Sequence, residues 1–165
     1  MKTVFLQHNF HKQSRLIMKT LILGIGSPFA DDQFGWHVAR KIKAILPNNK
    51  TIDIEIADRP GLNLLHYLDL DYQKIILIDA VSAEASPGTE FMLSAEEICQ
   101  FNGFLSSHNV GVAPSLALAR ALGNSIAHIV FFGVQAKRFN AKDDVLSPEV
   151  QNQIVPIADK VLETL

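Results

Sequence analysis

Asp31 and Asp32 stand side by side at the end of the stretch Leu21-Ile22-Leu23-Gly24-Ile25-Gly26-Ser27-Pro28-Phe29-Ala30. An apolar run of strand length passes through two glycines and a proline to reach them, and a helical pattern follows at once. Acidic residues at the carboxyl end of a buried strand sit where open α/β sheets place their ligands. Two adjacent carboxylates repel each other, so burying them requires a cation or hydrogen-bond donors. Asp79 ends a second buried run, Lys74-Ile75-Ile76-Leu77-Ile78-Asp79, and His108 lies in Ser106-Ser107-His108-Asn109, just before a helix. In a right-handed α/β sheet these positions face one edge. Asp32, Asp79 and His108 together make an oxygen and nitrogen donor set able to hold a divalent transition metal with positions left open. Spacing alone leaves plainer readings in place: an Asp at a strand end caps a helix, and a loop His is solvated.

Other catalytic machinery is missing from the sequence. It has no His-Glu-x-x-His helix and no Gly-x-Ser-x-Gly elbow. Gly24-Ile25-Gly26 lacks the third glycine of a dinucleotide fingerprint, and its glycines read as a tight turn presenting the acids. Ser27 has no evident triad context. Cys99 reads as a small packing residue. His66 and His128 read as structural, and His37 as a surface or half-buried position on the helix that starts near the acids. Phe29, in the short loop beside the acids, is a candidate contact for a protein substrate.

The elements that must position these residues follow from the hydrophobic pattern. Thr20–Gly24 and Lys74–Asp79 predict buried strands, as does 127–134. Ile52, Ile54 and Ile56 alternate with Asp53 and Glu55, predicting a half-exposed strand near an edge. Thr89–Leu93 predicts a short strand after the Pro87-Gly88 turn. Phe34, Val38, Ile42 and Ile45 recur at helical spacing and predict a helix over 33–46, ended by Pro47. Further helices are predicted over 61–70 and over 110–122, the latter with Pro114 in its first turn and Gly123 as its stop. The last helix is predicted to start at Ser147-Pro148-Glu149, a polar cap followed by proline, and to kink or restart at Pro156. This alternation predicts one α/β domain, a mostly parallel sheet with helices on both faces.

Composition bounds the function. The chain has 165 residues, of which 48% are hydrophobic and 19% charged, so it builds a core. A net charge of −2 gives no electrostatic case for nucleic acid or an anionic membrane. No apolar run approaches the roughly 20 residues that span a bilayer. The single cysteine fits a reducing cytoplasm. Residues 1–17 show little periodicity and no signal-peptide pattern, and Met18-Lys19-Thr20 repeats Met1-Lys2-Thr3. They are expected to be a disordered leader or upstream translation before a single domain over 18–165.

Five segments in order resemble one family. They are Leu-Gly-Ile-Gly-Ser-Pro leading to Asp31-Asp32 and Gly35, Ile-Leu-Ile-Asp79-Ala80, Pro87-Gly88-Thr89, Ser107-His108-Asn109-Val110-Gly111, and Phe131-Phe132-Gly133-Val134. Together they resemble the hydrogenase maturation endopeptidases, which remove a C-terminal tail from the large subunit of nickel–iron hydrogenases. The resemblance runs from about Met18 to the C-terminus. It implies a three-layer α/β/α sandwich, phosphorylase/hydrolase-like, with a mostly parallel central sheet. It implies that Asp32, Asp79 and His108 match the family's metal ligands and carry catalysis. The metal is then nickel delivered by the immature large-subunit precursor, and other divalent transition metals fit the same donors. Asp58 matches a further aspartate near the family's cleft; it serves substrate recognition, with Asp31 and Phe29, or caps the helix starting near Gly61.

Two mechanisms follow from the resemblance. The metal polarises the scissile carbonyl or activates water, or it serves only for docking while Asp31 or Asp32 acts on a water. Three departures from the family pattern lie around the cleft: a shorter loop between Gly26 and Asp31, Gln33 after the acidic pair, and Arg59-Pro60 in place of a Gly-Gly-Thr-like run. The alternatives are a nickel-recognising module without catalysis and a small-molecule metal-dependent hydrolase, the latter requiring an enclosed pocket.

Overall fold

The computed structural model describes residues 18–100, 105–106, 111–139 and 142–165. Its strands are β1 (Thr20–Gly26), β2 (Ile52–Asp58), β3 (Lys74–Ser82), β4 (Glu90–Ser94), β5 (Leu105–Ser106) and β6 (Ile129–Gln135). The helices are α1 (Phe34–Ile45), α2 (Leu64–Leu68), α3 (Ala95–Gln100), α4 (Val112–Ala121), α5 (Pro148–Gln151) and α6 (Ile154–Glu163). Single 3₁₀ turns, Ala30–Gln33 and Gly61–Asn63, lead into α1 and α2.

The sheet runs β2-β1-β3-β6-β4, with β5 attached to β3. β1 pairs in parallel with β2 and β3, and β3 with β6; β4 and β5 pair antiparallel. The parallel strands at the centre are apolar along their length because both their faces are covered. Side-chain alternation splits their residues between two cores. Leu21, Leu23, Ile25, Ile75, Leu77 and Phe131 pack with α2, α3 and α4, whereas Ile22, Ile76, Ile78 and Phe132 pack with α1, α5 and α6. The result is the expected three-layer sandwich. β2 is the edge strand its alternating sequence predicts.

Most boundaries fall within two residues of the pattern, and the misses have physical causes. β1 continues two residues past Gly24, because Ile25 and Gly26 stay in register with Ala57 and Asp58 of β2. Residues 61–70 form only a 3₁₀ turn and five helical residues. Gly123 stops α4 in the left-handed region (φ +89°): its N–H donates to Arg120 O, and Asn124 N–H reaches Ala119 O. Pro156 falls in the first turn of α6, where no intrahelical N–H is needed, so the chain restarts there.

α1 lies unusually close to the sheet. A Cβ on Gly35 would stand 2.2 Å from Ile25 O and 2.3 Å from Ile78 O, and one on Gly24 would stand 2.3 Å from Gly35 O. The two glycines let the start of α1 rest on the backbones of β1 and β3. That contact carries the preceding turn, and Asp32 with it, to the carboxyl ends of both strands.

Candidate active site at the carboxyl edge of the sheet

The turn from β1 to α1 separates the adjacent acids. Ala30 is buried with φ +41°, a left-handed conformation that costs an L residue of order 1 kcal/mol or more. It is held by its N–H, which donates to Asp143 O at 2.9 Å. Beyond it the 3₁₀ turn closes with Asp32 N–H donating to Phe29 O at 3.0 Å, and the two carboxylates find different partners.

Asp31 is fully buried, and both its oxygens are engaged within the chain. The N–H groups of Lys137 and Arg138 donate to Oδ2 at 2.9 and 2.8 Å, and Ser147 N–H donates to Oδ1 at 2.6 Å. The Ser147 hydroxyl lies within 2.8 Å of both oxygens. Donors therefore offset the burial of this charge. Ser147 occupies the N-cap of α5 as its sequence predicts, yet its side chain makes no cap bond because Asp31 has captured it. Gln33 secures the same segment from the turn, its Nε2 donating to Asp144 O at 2.5 Å.

Asp32 is 1% exposed and faces the other way, toward the strand ends. Ser27 Oγ donates to its Oδ2 at 3.0 Å, and Ser27 N–H donates to its backbone oxygen at 3.2 Å. Its Oδ1 has no hydrogen-bond partner among the described residues. Gly26 makes the approach possible, since a Cβ there would stand 2.2 Å from Asp32 O. Trp36 braces the same corner from α1, donating its indole N–H to Ala57 O at 3.0 Å.

Asp79 is fully buried on β3, its Oδ1 accepting the N–H of Ala80 at 2.8 Å. The 30–33 turn packs on both β1 and β3, so Asp32 and Asp79 come to one corner of the sheet. His108 lies outside the described residues. Of the described residues flanking it in sequence, Ser106 pairs with Val81, two residues past Asp79, and Gly111 precedes α4. Among the described residues no group of three or more His, Cys, Asp or Glu is placed to hold a metal. The described residues bring two carboxylates, Asp32 and Asp79, to this corner.

Asp58 closes β2 beside this corner but is exposed. It caps no helix: Arg59 Nε and Nη2 donate to its two oxygens at 2.7 and 3.2 Å. Arg59 has φ +42°, and its N–H donates to Gly26 O at 2.9 Å. The hydrogen bond and charge of Asp58, then the charge of Asp32, hold the guanidinium above its usual range. In the sequence Arg59 stands out only as a departure from the family pattern, and Ser27 has no triad context. A serine five residues before a carboxylate, across a strand-to-helix turn, was the available signal for Ser27.

Phe29 is 39% exposed in the loop before the acids. His66 is exposed and His37 half-buried; burial and then Arg40 lower the pKa of His37, and burial lowers that of His128. Burial raises the Cys99 thiol, consistent with packing and not with nucleophilic use.

A mostly parallel sheet with carboxylates buried at its carboxyl edge, beside a closely packed helix start, defines an α/β protein with an acidic centre. Residues 36–164 match the model of the HycI family, the hydrogenase maturation proteases, and the chain belongs to that family. It is 30% identical over 148 residues to a Methanocaldococcus jannaschii protein whose name places it provisionally among these proteases, covering 88% of this chain and 92% of that one. It is 29% identical over 152 residues to the hydrogenase expression/formation protein HupD of Bradyrhizobium diazoefficiens, covering 89% of this chain and 78% of HupD. The fold is similar to that of the hydrogenase maturating endopeptidase HybD from E. coli, with a TM-score of 0.76 and 26% identity over 90% of this chain and 92% of that one. The chain is thus an endopeptidase of hydrogenase maturation.

Proposed function

We propose that the chain removes the C-terminal extension of a nickel-loaded large-subunit precursor of a nickel–iron hydrogenase, and that Asp32, Asp79 and His108 meet the nickel carried by that precursor. The observation that carries this reading is the buried Asp32 carboxylate, with one oxygen bonded to Ser27 and the other without a hydrogen-bond partner among the described residues, at the corner that also holds Asp79. Carboxylate and imidazole donors suit nickel and leave positions for the substrate's own groups. Nickel held there by Asp32, Asp79 and His108 would supply a docking point and would polarise a neighbouring peptide carbonyl.

The chain's own residues supply the rest. Asp31 has both oxygens engaged by Lys137, Arg138 and Ser147, which removes it as a general base and leaves Asp32 and Asp79 as the carboxylates that face the substrate's metal. Asp31 contributes to recognition through Lys137, Arg138 and Ser147, which it anchors. Phe29 and Asp58, both exposed, contact the precursor. The reaction runs in the cytoplasm, in keeping with the single unpaired Cys99, and no described helix is long and apolar enough to cross a membrane.

The test mixes the purified chain with a nickel-loaded precursor, a nickel-free precursor, and the Asp79→Ala and His108→Ala variants. Release of a C-terminal peptide only with nickel, and only from the intact enzyme, is the expected result. Nickel-dependent complex formation without cleavage would assign the chain a recognition role in place of proteolysis.

A further inference from the structure

We propose that Ser27 is a positioning residue for Asp32: its hydroxyl fixes the carboxylate so that one chosen oxygen, Oδ1, is presented to the metal of the substrate. This deepens the reading above and rests on it. Ser27 is 1% exposed and follows directly on β1. It clasps Asp32 twice, by its N–H to the backbone oxygen and by Oγ to Oδ2. The first bond fixes where Asp32 stands, and the second fixes how its carboxylate is turned. With Oδ2 taken, only Oδ1 is left buried without a hydrogen-bond partner among the described residues.

A buried carboxylate oxygen without a donor is unfavourable. A freely rotating side chain would exchange its two oxygens or turn toward water, and the Ser27 bond opposes both. Outer partners of metal-binding carboxylates act in this way, and their loss weakens metal binding roughly ten- to a hundredfold. Ser27→Ala removes the hydroxyl and keeps the backbone N–H, so the turn retains its geometry while the carboxylate loses its orientation.

The experiment measures the affinity of the wild type and of Ser27→Ala, Ser27→Thr and Asp32→Ala for nickel-loaded and nickel-free precursor, with cleavage rates and melting temperatures alongside. The expected result for Ser27→Ala is a loss of about tenfold in affinity for the nickel-loaded precursor alone. Its affinity for the nickel-free precursor stays unchanged, its melting temperature falls modestly because the buried Oδ2 loses its donor, and Ser27→Thr, which keeps a hydroxyl, recovers most of both losses. Wild-type affinity in Ser27→Ala beside a clear loss in Asp32→Ala would overturn the role of Ser27 and leave the nickel reading standing. Undiminished nickel-dependent binding by Asp32→Ala would overturn both. Abolished cleavage by Ser27→Ala with nickel-dependent binding intact would assign the hydroxyl to the chemical step and overturn a positioning role.

Discussion

Asp31 and Asp32 show how much one peptide bond can separate. In sequence they form a single acidic pair, and their mutual repulsion implies compensation without saying for which residue or by what. The left-handed Ala30 and the turn after it send Asp31 into a ring of donors from 137–147 and leave Asp32 with Ser27. The compensating donors are backbone N–H groups more than a hundred residues away, which no local pattern announces. That the pair needs compensation was legible, and which acid receives which donors was not. Replacing Asp31 by Ala strands three buried or half-buried N–H groups and the Ser147 hydroxyl, and should cost roughly 3 kcal/mol or more, read as a lower midpoint in urea. Asp58→Ala provides the contrast. It breaks only an exposed pair with Arg59, so the urea midpoint should stay where it is while precursor binding weakens. An unchanged midpoint for Asp31→Ala would mean that Lys137, Arg138 and Ser147 are held by something else.

At the scale of elements, the strands and long helices were legible because burial on both faces writes continuous apolar runs and helical packing writes a stripe. β2, with Asp53 and Glu55 alternating against isoleucines, declared itself an edge. What stayed hidden was the distance between layers. Gly35 looked like an ordinary early helix residue, yet it is the point where α1 touches the backbones of β1 and β3. A methyl group there meets two carbonyl oxygens, neither of which can swing aside as a side-chain end can. Gly35→Ala should therefore displace the start of α1, lower stability by about 3 kcal/mol, at the upper end of overpacking costs, and lose cleavage by moving Asp32 from the strand ends. Thermal melting and the cleavage assay would read the two effects together. Gly123→Ala is the control: its site is open, so it costs only the strain of φ +89° at the end of α4 and should leave cleavage intact.

Across the whole molecule, the mostly parallel sheet gathers the buried acids at one end and a partly exposed polar cluster at the other. At the amino end of the strands Tyr72 donates its hydroxyl to Asp53 Oδ2 at 2.8 Å, and Lys19 stands 3.8 Å from the same oxygen. Burial, the bond to Asp53 and the charges of Asp53 and Glu55 push the Tyr72 phenol up to about 12. Its unfolded value is near 10. Because the folded state holds this proton more tightly, the stabilisation is fully present below pH about 10 and is lost as pH rises through about 12. Removing the hydroxyl in Tyr72→Phe should lower the melting temperature at neutral pH and flatten its further fall at alkaline pH. Absorbance titration should lose its latest phenolate step. Cleavage of the precursor should be unaffected, since Asp32 and Asp79 lie at the opposite edge of the sheet. A matching loss of cleavage would show that the two ends of the sheet are coupled, and that the packing between them transmits what happens at Asp53 to the acids beyond β1.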